Sequence, residues 1–334
     1  MSQSPNPSIL HVGNTAGVAS NISKKQKELG MKSKVLVFHD EKYDFGADDV
    51  IEIRPPFAGK LGKFTIVFEA FQRLRVFRGI VSGFDVIHFH FGSVLHVPNP
   101  NFLNGIDLPL WKMQGKRVIM HFHGSDIRWK GVPQFYQKFA DEIVVSTPDL
   151  IEWAPAEATW IPLPIPVDSL EPNYPEPKES DPIRIVHAPT NRKVKGTKFV
   201  VDAVEKLISK GYDIDFQIIE NLPHSRALEL YSFADIIVDW VNPDYGLFGM
   251  FGKEAMALGK PVIASISPTL EKHLPDGCPI VKADPDSLET ELENLIENRT
   301  SLETIGQKSR KYVERIYDVN KLIREYNSLY DDEL

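Results

Sequence analysis

The 334-residue chain has one cysteine, Cys278. A single thiol cannot build a disulfide framework or a cysteine-based zinc site, and a reducing compartment is the natural expectation. No apolar run approaches the roughly 20 residues that span a bilayer. The opening "MSQSPNPS" lacks a basic region and an apolar region, so no secretory signal is expected. Positive charge is in deficit: 38 Lys and Arg stand against 46 Asp and Glu, a formal net of −8. That balance argues against a nucleic-acid partner. There is no His-Glu-x-x-His, no Asp-rich metal loop and no Gly-x-Ser-x-Gly elbow. The two histidines of "HFH" (88–90) share one side of a strand, but no third metal ligand is evident from the sequence. Internal repeats and low-complexity blocks are absent.

What remains is an ordinary globular composition, 42% hydrophobic and 25% charged, long enough for about two domains. Charge is uneven: residues 60–130 have a basic excess, and the half after residue 170 is acidic. Strand-like and helix-like segments alternate. "ILHVG" (9–13), "KVLVF" (34–38), "DVIHFHF" (85–91), "RVIMHFH" (117–123) and "EIVVS" (142–146) are mostly apolar, as strands covered on both faces should be. The 16–30 segment reads as an amphipathic helix stopped by Gly30. A proline-dense stretch, 160–182, cannot be regular structure and reads as a link. A second series follows: strands at 183–188, 214–220, 235–240 and 261–265, and a helix at 196–211 with Val200, Val204, Leu207 and Ile208 on one face. The tail from Ser287 reads as helical. Two βα series imply two doubly wound parallel sheets, which bind ligands beyond the carboxyl ends of their strands.

Chemistry concentrates at 247–265, "LFGMFGKEAMALGKPVIAS". Glycines ahead of a helix allow close backbone approach, and free N–H groups at a helix start attract phosphate. Glu254, just inside the helix, either meets two ribose hydroxyls or simply complements the helix dipole. Other candidates are Asn14 and Thr15 at the first helix start, as caps or ligands, and His123 in "HFHGSDIR", able to hydrogen-bond a sugar hydroxyl. His88 and His90 also approach a strand end. Asp126 and Arg128 frame the same mouth or pair with each other. Over 63–80, Phe64, Val67, Phe68, Phe71, Leu74 and Phe77 form an apolar stripe, with Lys60, Lys63, Arg73, Arg75 and Arg78 around it; such a helix is core, or lies on a membrane surface.

"EAMALGKPVIAS" resembles the signature of retaining glycosyltransferases of family four, and "HAPTNRKVKGTKFVVDAVEKL" (187–207) resembles that family's lysine-bearing segment. The resemblance spans roughly residues 8–317. It implies the GT-B fold: α/β, two Rossmann-like doubly wound parallel-sheet domains facing an interdomain cleft. The expected division is 1–165, a linker 166–182, 183–317, and a terminal helix in 318–334 that packs back on the first domain. The implied activity is transfer of a sugar from a nucleotide-diphosphate-sugar to a hydroxyl acceptor, with retention and without metal or cofactor. Glu254 falls at the ribose, Lys195 at the diphosphate and His123 at the donor sugar. Arg192 or Lys193 stands in for a family arginine expected near Thr190.

The donor side would further take in Thr15, Gly17, Asn221, Asp244, Gly246, Phe248, Gly249, Met250 and Phe251. His90, Asp126 and Arg128 would lie toward the acceptor. The sequence departs from the family at Gly246, where a glutamate is usual; Asp244 is the nearby substitute. A UDP-sugar is favoured over GDP- or ADP-sugar. The acceptor is a glycan, a lipid-linked molecule or a small molecule, and the location cytoplasmic, peripheral on an anionic membrane face through 63–80. The alternatives are a GT-B sugar-nucleotide epimerase, a non-catalytic sugar-nucleotide-binding partner protein, and a membrane-docked scaffold.

Overall fold

A computed structural model describes residues 6–38, 44–52, 62–95, 104–176 and 178–331, with the backbone alone for 62–67. The chain divides into two units. The first runs to Pro164 and takes in the C-terminal segment from Val319; the second is Ile165–Asp318.

The first unit is a seven-stranded parallel sheet: β1 (Ile9–Val12), β2 (Ser33–Val37), β3 (Asp49–Val50), β4 (Val86–His90), β5 (Arg117–Phe122), β6 (Glu142–Val145) and β7 (Thr159–Trp160), in the order β3-β2-β1-β4-β5-β6-β7. The longer strands are buried almost end to end, which is why their sequences run apolar instead of alternating. Strand order reverses between β1 and β4, and a doubly wound sheet opens for ligands at that switch. The loop after β1 and the ends of β4 and β5 therefore meet at one place. The helix Val319–Ser328 belongs to this unit: Asn327 accepts from Gln26 Nε2 at 3.2 Å, and Tyr326 donates to the Pro162 carbonyl at 3.0 Å.

The second unit has five parallel strands, β8 (Ile183–His187), β9 (Ile214–Ile218), β10 (Ile236–Val238), β11 (Val262–Ala264) and β12 (Val281–Lys282), in the order β12-β11-β10-β8-β9. Its reversal lies between β8 and β10. Buried His187 reinforces that junction: Nδ1 donates to the Val238 carbonyl at 2.8 Å, so Nε2 accepts from Thr197 Oγ1 at 2.9 Å. The fold class expected from the sequence, two Rossmann-like parallel-sheet units of the GT-B type, is the one found.

Two local expectations change. In the helix Thr197–Ser209, Val200, Val204 and Leu207 are buried, but Ile208 is exposed and Ala203 takes the inner place. The helix Gly62–Val81 does not present one apolar stripe. Phe77 is fully buried against Trp111, ring centroids 4.7 Å apart, whereas Phe71 is 64% exposed and Phe68 lies at the surface too. Lys60 and the side chains of Lys63, Phe64 and Val67 lie outside the described residues. Short edge strands β3, β7 and β12 complete the sheets.

Phe77→Ala should cost about 3–5 kcal/mol, the usual loss for emptying a buried aromatic site. Phe71→Ala should stay within about 0.5 kcal/mol. Urea unfolding of the two variants measures both, and equal losses would contradict the split of the stripe.

Candidate functional site

In the second unit, three segments meet at the switch between β8 and β10. The first follows β8: Asn191 caps a short helix, Arg192–Lys195, by accepting from Val194 N–H at 3.1 Å. The second is the end of β10, Asp239 and Trp240. The third is Gly249, which opens the helix Met250–Ala257. They converge on the Asp239 carboxylate, which is fully buried: Lys195 Nζ donates to Oδ1 at 2.8 Å and Gly249 N–H to Oδ2 at 2.7 Å. Lys195 Nζ also lies 4.3 Å from the Trp240 ring. Burial pushes the Lys195 pKa down by more than the Asp239 charge and hydrogen bond raise it. Trp240 Nε1 is buried without a hydrogen-bond partner, 3.1 Å from where a Cβ on Gly249 would stand. A side chain at 249 would thus crowd an indole N–H, an ammonium and a main-chain amide that share one small volume.

Five residues beyond Gly249, Glu254 is buried and Oε1 accepts from His224 Nε2 at 2.7 Å. Burial lowers the His224 pKa, but the hydrogen bond and charge of Glu254 outweigh it and the net direction is up. The sequence reading missed His224. It stands 30 positions before Glu254 at the start of another helix, His224–Ser232, and no local motif links the two. Asp239 and Trp240 were likewise read only as the end of a strand.

The other donor-side candidates separate. Arg192 makes a two-pronged pair with Glu220, the shortest contact 2.6 Å, and is 60% exposed. Lys193, Asp244 and Asn221 are exposed, Asn221 with a left-handed backbone at φ 57. Phe248 and Phe251 belong to the apolar core, Phe251 packing on Tyr231 with centroids 4.6 Å apart; Met250 lies partly buried at its edge. Gly246 cannot carry the family's glutamate in this loop. Its φ is +50, and a Cβ would stand 2.6 Å from Ser267 N, whose N–H donates to the Gly246 carbonyl.

In the first unit, Thr15 and Gly17 lie in a single 3-10 turn after β1, followed by the helix Val18–Glu28. Asn14 caps that helix through Oδ1, which accepts from Ser20 N–H at 3.1 Å. Asp126 and Arg128 do not pair with each other. Asp126 accepts from the amides of His123, Gly124 and Ile127 at 2.7–3.0 Å, closing the loop after β5, and Arg128 pairs with Asp149 at 2.8 Å. Both act on the loop's structure.

His123 is one of five histidines gathered from three adjacent strands: His11 on β1, His88 and His90 on β4, and His121 and His123 at the end of β5. Register creates the group, since His11 stands beside His88 and His90 beside His121. Gln26 orients it. Its Oε1 accepts from Ser33 Oγ and from His11 Nε2 at 2.9 Å, so His11 keeps its proton on Nε2. His11 Nδ1 then accepts from His90 Nε2 at 3.1 Å, and His90 Nδ1 accepts from His123 Nε2 at 3.3 Å. Ser146 Oγ donates to His123 Nδ1 at 2.6 Å and accepts from His121 Nε2 at 2.9 Å. His88 Nδ1 meets the Tyr330 hydroxyl at 2.8 Å. Burial holds every ring neutral, His11 pushed to about 4, His123 to about 3, and the others well below 6.5. Both His123 nitrogens are therefore used inside the protein. The third imidazole that the sequence did not reveal is His11.

No family model and no curated protein sequence matches the chain. Solved structures of similar fold do. HepE from Anabaena, determined with UDP and glucose, is 14% identical, with a TM-score of 0.65 over 96% of this chain and 98% of that one. An alpha-glucosyltransferase held with UDP and a 13-mer DNA containing an HMU base is 13% identical, TM-score 0.66, over 97% and 98%. A Listeria monocytogenes protein assigned as a UDP-N-acetylglucosamine 2-epimerase is 13% identical, TM-score 0.60, over 97% and 95%.

The raised pKa of His224 gives a directional test. Its pairing with Glu254 stabilises the fold fully below the ordinary histidine pKa near 6.5 and loses that contribution as pH rises through the higher folded value. An NMR titration should place His224 above 6.5, and Glu254→Gln should bring it down. An unchanged midpoint in the variant would remove Glu254 as the cause.

Proposed function

We propose that the chain is a glycosyltransferase that moves a sugar from a nucleotide-diphosphate-sugar, most readily a UDP-sugar, to a hydroxyl acceptor with retention. The observation that carries this reading is the meeting of Lys195 Nζ and the unpartnered Trp240 Nε1 beside Gly249, at the start of the helix Met250–Ala257. An ammonium and an indole N–H side by side at a helix N-terminus suit phosphate oxygens. The UDP-bound alpha-glucosyltransferase and the UDP-bound HepE of like fold add support. Asp239 holds the lysine and the amide in place, and the Lys195 ammonium supplies positive charge toward a departing diphosphate. No metal is required at the diphosphate in this reading. With Oε1 bonded to His224, Oε2 of Glu254 is the atom a ribose hydroxyl would meet. His123, with both nitrogens engaged, acts by shape and position beside the sugar, not as a proton acceptor.

Thermal-shift titration with UDP-, GDP- and ADP-sugars, followed by product analysis with and without hydroxyl acceptors, tests the proposal. Expected are stabilisation by one donor class and a new glycoside of retained configuration. A sugar epimerised without any acceptor, or binding with no turnover across acceptors, would overturn it. Lys195→Met should cut turnover by roughly 10²–10³, the effect of losing one preorganised donor. It should also cost about 3–5 kcal/mol, because a buried carboxylate loses its partner. Lys195→Met with Asp239→Asn should recover most of the stability and none of the rate; recovery of the rate would assign Lys195 to structure alone.

A membrane-surface role for the helix Gly62–Val81 belongs to the same proposal. Arg75 and Arg78 are exposed on the helix that carries Phe71 and Val76, which are 64% and 40% exposed. Among the described residues no helix is long and apolar enough to cross a membrane. Replacing Arg75 and Arg78 with Glu should abolish co-sedimentation with anionic vesicles. Retained binding would exclude this surface.

A further inference from the structure

We propose that the histidine core of the first unit is a binding site for one divalent transition cation of the zinc type, with His11, His88 and His90 as ligands. One ring nitrogen of each lies within 4.8 Å of those of the other two. His11 Nδ1 and His90 Nε2 are 3.1 Å apart, close to the separation of two ligands making bonds of about 2.0–2.1 Å to one ion. His88 is wholly buried, and its Nε2 has no hydrogen-bond partner. A buried polar atom without a partner calls for an occupant that satisfies it.

The surroundings supply what metal-bound histidines need. Such rings are oriented by a hydrogen bond from the second nitrogen. Here Gln26 Oε1 takes His11 Nε2, the Tyr330 hydroxyl takes His88 Nδ1, and His123 Nε2 faces His90 Nδ1. Coordination through His90 Nε2 moves that ring's proton to Nδ1, and the chain reverses direction. His90 then donates to His123, His123 to Ser146, and Ser146 to His121 Nε2. His121 then carries its proton on Nδ1, a buried nitrogen with no hydrogen-bond partner in either direction. No ring gains or loses net charge. Neutral imidazoles select zinc, nickel or copper over magnesium or calcium. A second set, His90, His121 and His123, is also compact, but His121 and His123 share one anchor, Ser146 Oγ. In the first set each ring has its own. Its ligands all belong to the first unit, whereas Lys195 and Trp240 belong to the second, and the site does not depend on the proposed transferase reading.

The ligands are 0–2% exposed, so the ion is best loaded during folding. The untagged full chain, expressed in zinc-supplemented medium and then desalted over a chelating resin, is assayed by elemental analysis. Near-stoichiometric zinc is expected, retained in His273→Gln and lost in His88→Gln. Zinc at trace level in the folded wild-type chain, or a content that His88→Gln leaves unchanged, would overturn the proposal. If His88→Gln fails to fold, the wild-type chain grown with cobalt decides. Visible bands of a nitrogen-ligated four- or five-coordinate ion support the site, and a spectrum of hexa-aqua cobalt alone refutes it.

Discussion

A single buried carboxylate organises the second unit. Asp239 directly follows β10 at the strand-order reversal and takes a lysine from the segment after β8 and the amide of Gly249, which opens the next helix. Without it, an ammonium and a helix start would have to approach each other in low dielectric with nothing to offset their like partial charges. With it, three segments distant in sequence are fixed to within a hydrogen bond. The cost of burying both charges is repaid only while each keeps its partner, so the geometry is all-or-none. At Gly249 a side chain would crowd the Trp240 indole and the Lys195 ammonium, which stand 3.1 and 3.3 Å from where its Cβ would lie.

The first unit solves a different problem at the equivalent place. Five imidazoles fill the end of its sheet where purely apolar residues would pack as easily. Their mutual hydrogen bonds run in one direction, set by the amide of Gln26, which is itself held by Asn327 of the terminal helix. Polarity in this core is tolerable because nearly every nitrogen has a partner, and the two that lack one stand on the inner strands.

Much of the fold was legible because strands buried on both faces write continuous apolar runs. The two-residue edge strands were not, since two residues carry no period. The apolar stripe of the helix Gly62–Val81 misled because six hydrophobic residues fit one helical face on paper, while the sheet beneath accommodates Phe77 and leaves Phe71 outside. Of the residues that meet Asp239 and His224, Gly249 and Glu254 were picked out by local pattern and Lys195 by the family resemblance. Their partners Asp239 and His224 were not, because pairing across 44 and 30 positions is decided by strand order and not by spacing. Gly246 was noted as a departure, but its cause is a backbone packed against Ser267, invisible without coordinates. The histidines looked unrelated until parallel register put β1, β4 and β5 side by side.

The chain enters the second unit at Ile165 and leaves it at Asp318, and these two points are joined, Ile165 N–H donating to the Tyr317 carbonyl at 2.7 Å. The second unit is thus an insertion within the first. During synthesis its residues emerge together and can fold while the first unit still lacks Asn327 and Tyr330. The half whose synthesis begins first is the half that completes its packing later, because Gln26 and His88 meet Asn327 and Tyr330 only once the segment from Val319 exists.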